Sequence, residues 1–130
     1  MTAGPGNPHV CGGVLIVDDD EGIRAALSQA LADEGYPVLA AEHGAEALDV
    51  LRTSEPRPCL ILLDMMMPVM DGRQFIERKL TDPSLRDVPV VVVTADGRAV
   101  KNASELAAAD VLAKPISLDQ LLLAVQRFCR

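Results

Sequence analysis

CLILLDMMMPVMDG, residues 59 to 72, runs through five apolar residues, stops abruptly at a carboxylate, Asp64, and continues into a loop that contains Pro68. An apolar run of this length bounded by turn signals reads as a β-strand buried on both faces. Asp64 then stands at the carboxyl end of that strand, where open α/β sheets keep their chemistry.

The same grammar repeats on either side. Val14-Leu-Ile-Val17 is a second buried-strand run that also stops at acids, Asp18, Asp19, Asp20 and Glu21. One of these, Asp20 or a neighbour, can cap the following helix, since acids are favoured at a helix N-terminus, but a cap does not account for four of them. Ile23, Leu27, Ala30 and Leu31 repeat at helical spacing up to Glu34-Gly35, a C-terminal stop. Residues 36–41 read as a weak strand, 44–52 as a helix with Leu48 and Leu51 on its apolar side, and 54–58 as a breaker. Phe75, Ile76 and Leu80 give a short helix over 74–80. Residues 89–93 are the strongest strand signal and end in Thr94, Ala95, Asp96 and Gly97. A helix over 99–109 and a brief strand over 111–113 follow, and then Lys114-Pro115. The last helix carries Ser117 and Gln120 as a capping box, with Leu118, Leu121, Leu122, Val125 and Phe128 at helical spacing.

Composition narrows the function. The chain has 130 residues, 49% of them apolar, enough for one domain with a real core. Twelve Lys plus Arg against nineteen Asp plus Glu leave a net charge of −7. With no basic stripe, direct nucleic-acid and anionic-membrane binding are disfavoured. The apolar runs are of strand length and the N-terminus lacks a signal-peptide pattern, so a cytoplasmic protein is expected. Residues 1–13 read as a flexible leader and 14–130 as the folded domain; His9 and Cys11 in the leader are weak metal candidates. The three cysteines, Cys11, Cys59 and Cys129, lack metal-ligand spacing and are expected as free thiols, the last two buried.

Strands alternating with helices imply right-handed crossovers and a doubly wound, five-stranded parallel sheet. Asp18 and Asp19, Asp64, Thr94 and Lys114 each follow a different strand and should face one crevice. Carboxylates brought together repel unless a cation joins them, and Mg²⁺ takes one or two carboxylates while leaving room for phosphate oxygens. Lys114 and Thr94 complete a phosphoryl site, and the nucleophile is a carboxylate, with Asp64 on the central strand the candidate. Taken singly, an Asp after a strand is more often a cap or turn residue and a Lys-Pro just a turn; their coincidence at successive strand ends is what argues for a site. The Met65-Met66-Met67 run is read as apolar filling of a loop, not as a metal or haem site.

VLIVDDDEGIR (14–24), LILLDMMMPVMDG (60–72), VVVVTA (90–95) and AKPISLDQLL (113–122), in that order, resemble a response-regulator receiver domain of two-component signalling over about Val14 to Phe128. The resemblance implies the flavodoxin-like (βα)5 fold with strand order 2-1-3-4-5. It implies Asp64 as phosphoacceptor from phosphohistidine of a sensor histidine kinase or phosphotransfer protein. Asp18, Asp19, Asp64 and the Met66 backbone carbonyl would hold Mg²⁺. Lys114 and Thr94 would contact the phosphoryl group, with Ala95 small beside it and a cis bond before Pro115 aiming Lys114 inward. The product would be a signalling switch and not a metabolic enzyme, acting on a downstream protein through the face made by the fourth helix, the fifth strand and the last helix. The Leu-rich last helix can be all core or leave room for a weak homodimer.

Two departures stand out against the resemblance. Val111 occupies a position where receivers commonly carry Tyr or Phe, and the segment between Thr94 and Lys114 is about two residues short of the usual. A pseudo-receiver that docks partners without phosphorylation is therefore the alternative. Met66 and Asp96, which flank the acceptor and Thr94, imply slow to intermediate self-dephosphorylation. A phosphatase using an Asp nucleophile is disfavoured because Met66 stands where its general acid would be.

Overall fold

The computed structural model describes residues 12–95 and 107–129. Among them, β1 (Val14–Val17), β2 (Val38–Ala41), β3 (Leu60–Asp64), β4 (Val90–Thr94) and β5 (Asp110–Ala113) form one sheet in the order β2-β1-β3-β4-β5. Every pairing is parallel. The helices are α1 (Glu21–Asp33), α2 (Gly44–Thr53), α3 (Gly72–Leu80) and α4 (Leu118–Phe128).

Period-two alternation divides the strand residues between two cores. Leu15, Val17, Ile61, Leu63, Val90 and Val92 pack with Leu48 and Leu51 of α2 and Phe75 and Ile76 of α3. Val14, Ile16, Leu60, Leu62 and Val91 pack with Leu31 of α1 and Leu121 and Val125 of α4. Residues 60–64 and 90–94 are buried throughout, which is why they read as unbroken apolar runs.

The helix boundaries follow local chemistry. Asp20 caps α1 by accepting from the Ile23 N–H at 3.0 Å, and Gly35 ends that helix with a φ of +88°. α3 begins at Gly72, two residues earlier than its apolar spacing suggests, because Asp71 and Gln74 form a reciprocal capping box. The Ser117–Gln120 box expected for α4 is present.

Three expectations are corrected. Leu80 is 45% exposed and Lys79 takes the inward position at 3%, its ammonium donating to the Arg86 carbonyl at 2.8 Å. Burial holds the Lys79 pKa below its usual value despite the opposing charge of Asp87. The expected free thiols of Cys59 and Cys129 are instead joined in a disulfide, and Cys59 is only half-buried. Of the Met65-Met66-Met67 run, Met65 and Met67 pack on the core while Met66 is 78% exposed. The leader up to Cys11, with His9, lies outside the described residues, as do Asp96 and most of the helix expected over 99–109. No helix among the described residues is long and apolar enough to cross a membrane.

A candidate metal and phosphoryl site

A parallel sheet brings all its carboxyl ends to one edge, and the polar residues gather there. Asp18 follows β1, Asp64 closes β3, Thr94 closes β4 and Lys114 follows β5. Asp18, Asp64 and Thr94 are buried at 4%, 7% and 3% exposure, whereas Asp19 is exposed. Carboxylate oxygens of Asp18, Asp19 and Asp64 lie within 4.8 Å of one another. The Lys114 ammonium reaches between the two buried acids, 3.4 Å from Asp18 Oδ2 and 3.4 Å from Asp64 Oδ1.

Backbone contacts set these side chains. Asp18 Oδ1 accepts the Asp20 N–H at 2.9 Å, and Asp64 Oδ1 accepts the Met66 N–H at 3.3 Å. The Lys114 N–H donates to the Thr94 carbonyl at 2.8 Å, so the two strand ends that supply the ammonium and the hydroxyl are tied together. The Lys114–Pro115 peptide is cis. Ala95 is exposed beside Thr94, and Val111, on β5, is buried in the core cluster that includes β4, α2 and α3 residues.

The loop from Met65 to Asp71 is held on both flanks. Gly72 N–H donates to the Met65 carbonyl at 3.1 Å, and Gly44 N–H, at the start of α2, to the Met70 carbonyl at 3.2 Å. Between them the Met70 N–H closes on the Pro68 carbonyl at 2.7 Å around Val69, whose φ is +69°. That is a three-residue γ-turn of the strained hand, in a β-branched residue that rarely adopts positive φ.

One supporting residue lies outside the set read from the sequence. The Arg24 guanidinium, one turn into α1, donates to the Asp18 carbonyl at 2.7 Å and stands 4.0 Å from Glu42 beyond β2. Its sequence signal is weak, a base one turn past an acidic cap.

The electrostatics fit a cation. Burial raises the pKa of Asp64, the charge of Asp18 adds to the rise, and Lys114 offsets only part of it. Burial alone would lower the Lys114 pKa, but Asp64 and Asp18 together outweigh it and hold the ammonium above its ordinary value. Lys114 contacts two of the three clustered carboxylates, Asp18 and Asp64, and with Asp19 beside them the cluster has the charge and the oxygen donors that a hard divalent ion requires.

The model of the response regulator receiver domain matches residues 14–126. The chain belongs to that family. This receiver is 38% identical over 118 residues to sporulation initiation phosphotransferase F of Bacillus subtilis, covering 88% of this chain and 91% of that protein. It is 36% identical over 119 residues to the response regulator MprA of Mycobacterium, covering 90% of this chain but spanning only 50% of that protein's length. Among solved structures it resembles the Vibrio cholerae chemotaxis protein CheY4, with a TM-score of 0.81, 30% identity and coverage of 92% and 99% of the two chains. It also resembles the Thermotoga maritima response regulator TrrA, solved in complex with Mg²⁺-BeF, with a TM-score of 0.77, 29% identity and coverage of 88% and 96%. A receiver is a signalling switch and not a metabolic enzyme.

Proposed function

We propose that Asp64 accepts a phosphoryl group from the phosphohistidine of a sensor histidine kinase or phosphotransfer protein, with Mg²⁺ bound beside it, and that the change resets a protein-binding face. The observation that carries this reading is the Lys114 ammonium bridging Asp18 and Asp64 within a cluster that Asp19 completes. Asp18, Asp19 and Asp64 would hold the ion together with the Met66 backbone carbonyl. Bound Mg²⁺ would neutralise carboxylate and phosphoryl oxygens.

The chain's own residues do the rest. An Asp64 oxygen attacks phosphorus in line; the O–P bond forms while the P–N bond to the donor imidazole breaks, and its electron pair leaves with the imidazole. Lys114 pairs with Asp64 before transfer and with the phosphoryl group after it. Thr94 turns its hydroxyl to the same group, and the small Ala95 leaves it room. The Met66 side chain has no group to orient a hydrolytic water, so loss of the phosphoryl group is slow to intermediate, with Asp96 the acidic candidate on the other flank. A half-life of seconds would overturn that.

With Val111 in the core position, no ring reports the switch. The signal then passes through a rearranged output surface that includes β5 and α4. Unchanged amide exchange there after phosphorylation would refute this route. The domain runs from 14 to 130, and its expected setting is the cytoplasm.

The test is intact-mass measurement after acetyl phosphate or phosphoramidate with Mg²⁺. One phosphoryl group is expected on the wild type and none on Asp64→Ala or without metal. A folded wild type that takes up no group from either donor would sink the reading and favour a docking module independent of phosphorylation.

A further inference from the structure

We propose that Cys59 and Cys129 form a reversible two-electron oxidation site on the edge of the sheet opposite the acid pocket. The disulfide joins the residue just before β3 to the C-cap of α4, across 70 residues of sequence and 5.5 Å between Cα atoms. Both cysteines belong to the apolar layer beneath α1 and α4.

Each redox state has a place in this packing. In the reduced state the Gly13 carbonyl, 3.4 Å from Cys59 Sγ, is positioned to accept the thiol hydrogen. Cys129, 5% exposed, then sits among apolar side chains as a small hydrophobe. The sulfurs are also reachable without opening the sheet. Cys59 is half-buried, and Cys129 is held by the last helical hydrogen bond, its N–H to the Val125 carbonyl at 2.7 Å. A helix end opens at far lower cost than a central strand.

The chemistry balances with a hydroperoxide as oxidant. One thiol ionises and its sulfur attacks hydrogen peroxide, breaking the O–O bond to give a sulfenic acid and a hydroxide that takes up the thiol's proton as water. The second thiol then displaces water as the S–S bond forms. Two electrons pass from sulfur to peroxide, and two waters leave. Two molecules of glutathione reverse it through a mixed disulfide, ending as oxidised glutathione. Oxidation fixes the C-terminus of α4 to the base of the central strand.

The experiment uses the full chain and Cys11→Ser, each treated with hydrogen peroxide or with millimolar reduced glutathione, and reads intact mass, a peptide map, thermal unfolding and amide exchange. Peroxide should remove two hydrogens and yield a fragment linking residues 59 and 129 in both proteins. Glutathione should restore both hydrogens, lower Tm by about 10 °C and speed exchange in α4. Cys129→Ser, checked for fold by circular dichroism, should lose the redox dependence of Tm. A link through Cys11 or between chains overturns the pairing, and a link that glutathione leaves closed overturns reversibility. None of these readouts involves a phosphoryl group, so their failure is separate from failure of the phosphoacceptor reading.

Discussion

Asp64 is the residue at which stability and chemistry pull apart. Burial and the neighbouring Asp18 hold its pKa above the ordinary carboxylate value. The folded state therefore binds its proton more tightly than the unfolded chain does. The stability linked to that proton is full below the unfolded pKa and is lost as pH rises through the folded one. At neutral pH without metal the ionised carboxylate is thus a net cost. Asp64→Asn keeps the shape and an acceptor for the Met66 N–H, so its Tm at pH 7 in chelator should exceed the wild type's by about 3 °C. The gap should close in melts near pH 4; a gap independent of pH would contradict the assignment. Val69 poses a second cost at this scale. Its φ of +69° is one that glycine adopts freely. Val69→Gly should raise stability in urea titrations by roughly 0.5–1 kcal/mol, the relieved strain exceeding the extra entropy glycine gives the unfolded chain.

Among the elements, the β3–α3 connection has little freedom to adjust at Gly72. A Cβ on Gly72 would lie 2.7 Å from Met65 Sδ, 2.9 Å from Met65 Cα and 3.0 Å from the Asp64 carbonyl oxygen. Two of those atoms are backbone and cannot swing aside. Gly72→Ala should therefore slow phosphorylation by acetyl phosphate by about tenfold or more through displacement of Asp64, with helix content unchanged by circular dichroism. Gly44→Ala meets the Met70 side chain at 2.8 and 2.9 Å and one backbone atom, the Met70 carbonyl oxygen, at 3.0 Å, and should cost less; equal effects would argue against backbone displacement. The strands of this sheet were legible because burial on both faces writes them as unbroken Val, Leu and Ile runs, and the site because Asp18, Asp64, Thr94 and Lys114 interrupt those runs at the same end. The caps at Asp20 and Ser117 were equally plain. Cys59 and Cys129 were not, since their pairing depends on where α4 ends relative to β3 and no local pattern encodes that. The inward turn of Lys79 was hidden as well: in so short a helix apolar spacing favours Leu80, and only the carbonyl of Arg86 gives a buried ammonium its partner.

For the whole molecule, a net charge of −7 with acids converging on one edge makes divalent-ion binding a stability term. An ion that binds only the folded chain stabilises it by about 2.7 kcal/mol at a hundredfold excess over Kd. Saturating Mg²⁺ should thus raise Tm by several degrees, and NaCl of matched ionic strength should not. Asp19→Asn, exposed and outside the core, should abolish most of that rise without lowering the Tm measured in chelator; a rise that survives it would remove Asp19 from the ligand set. The topology carries a practical consequence for such measurements. β1 starts at the edge away from the acids, and α4 runs back from Ser117 to finish beside Cys59 on that same rear edge. Gly12 and Cys129, the first and last described residues, thus both lie behind the sheet, and a probe carried at either position reports from the side away from the reactive mouth.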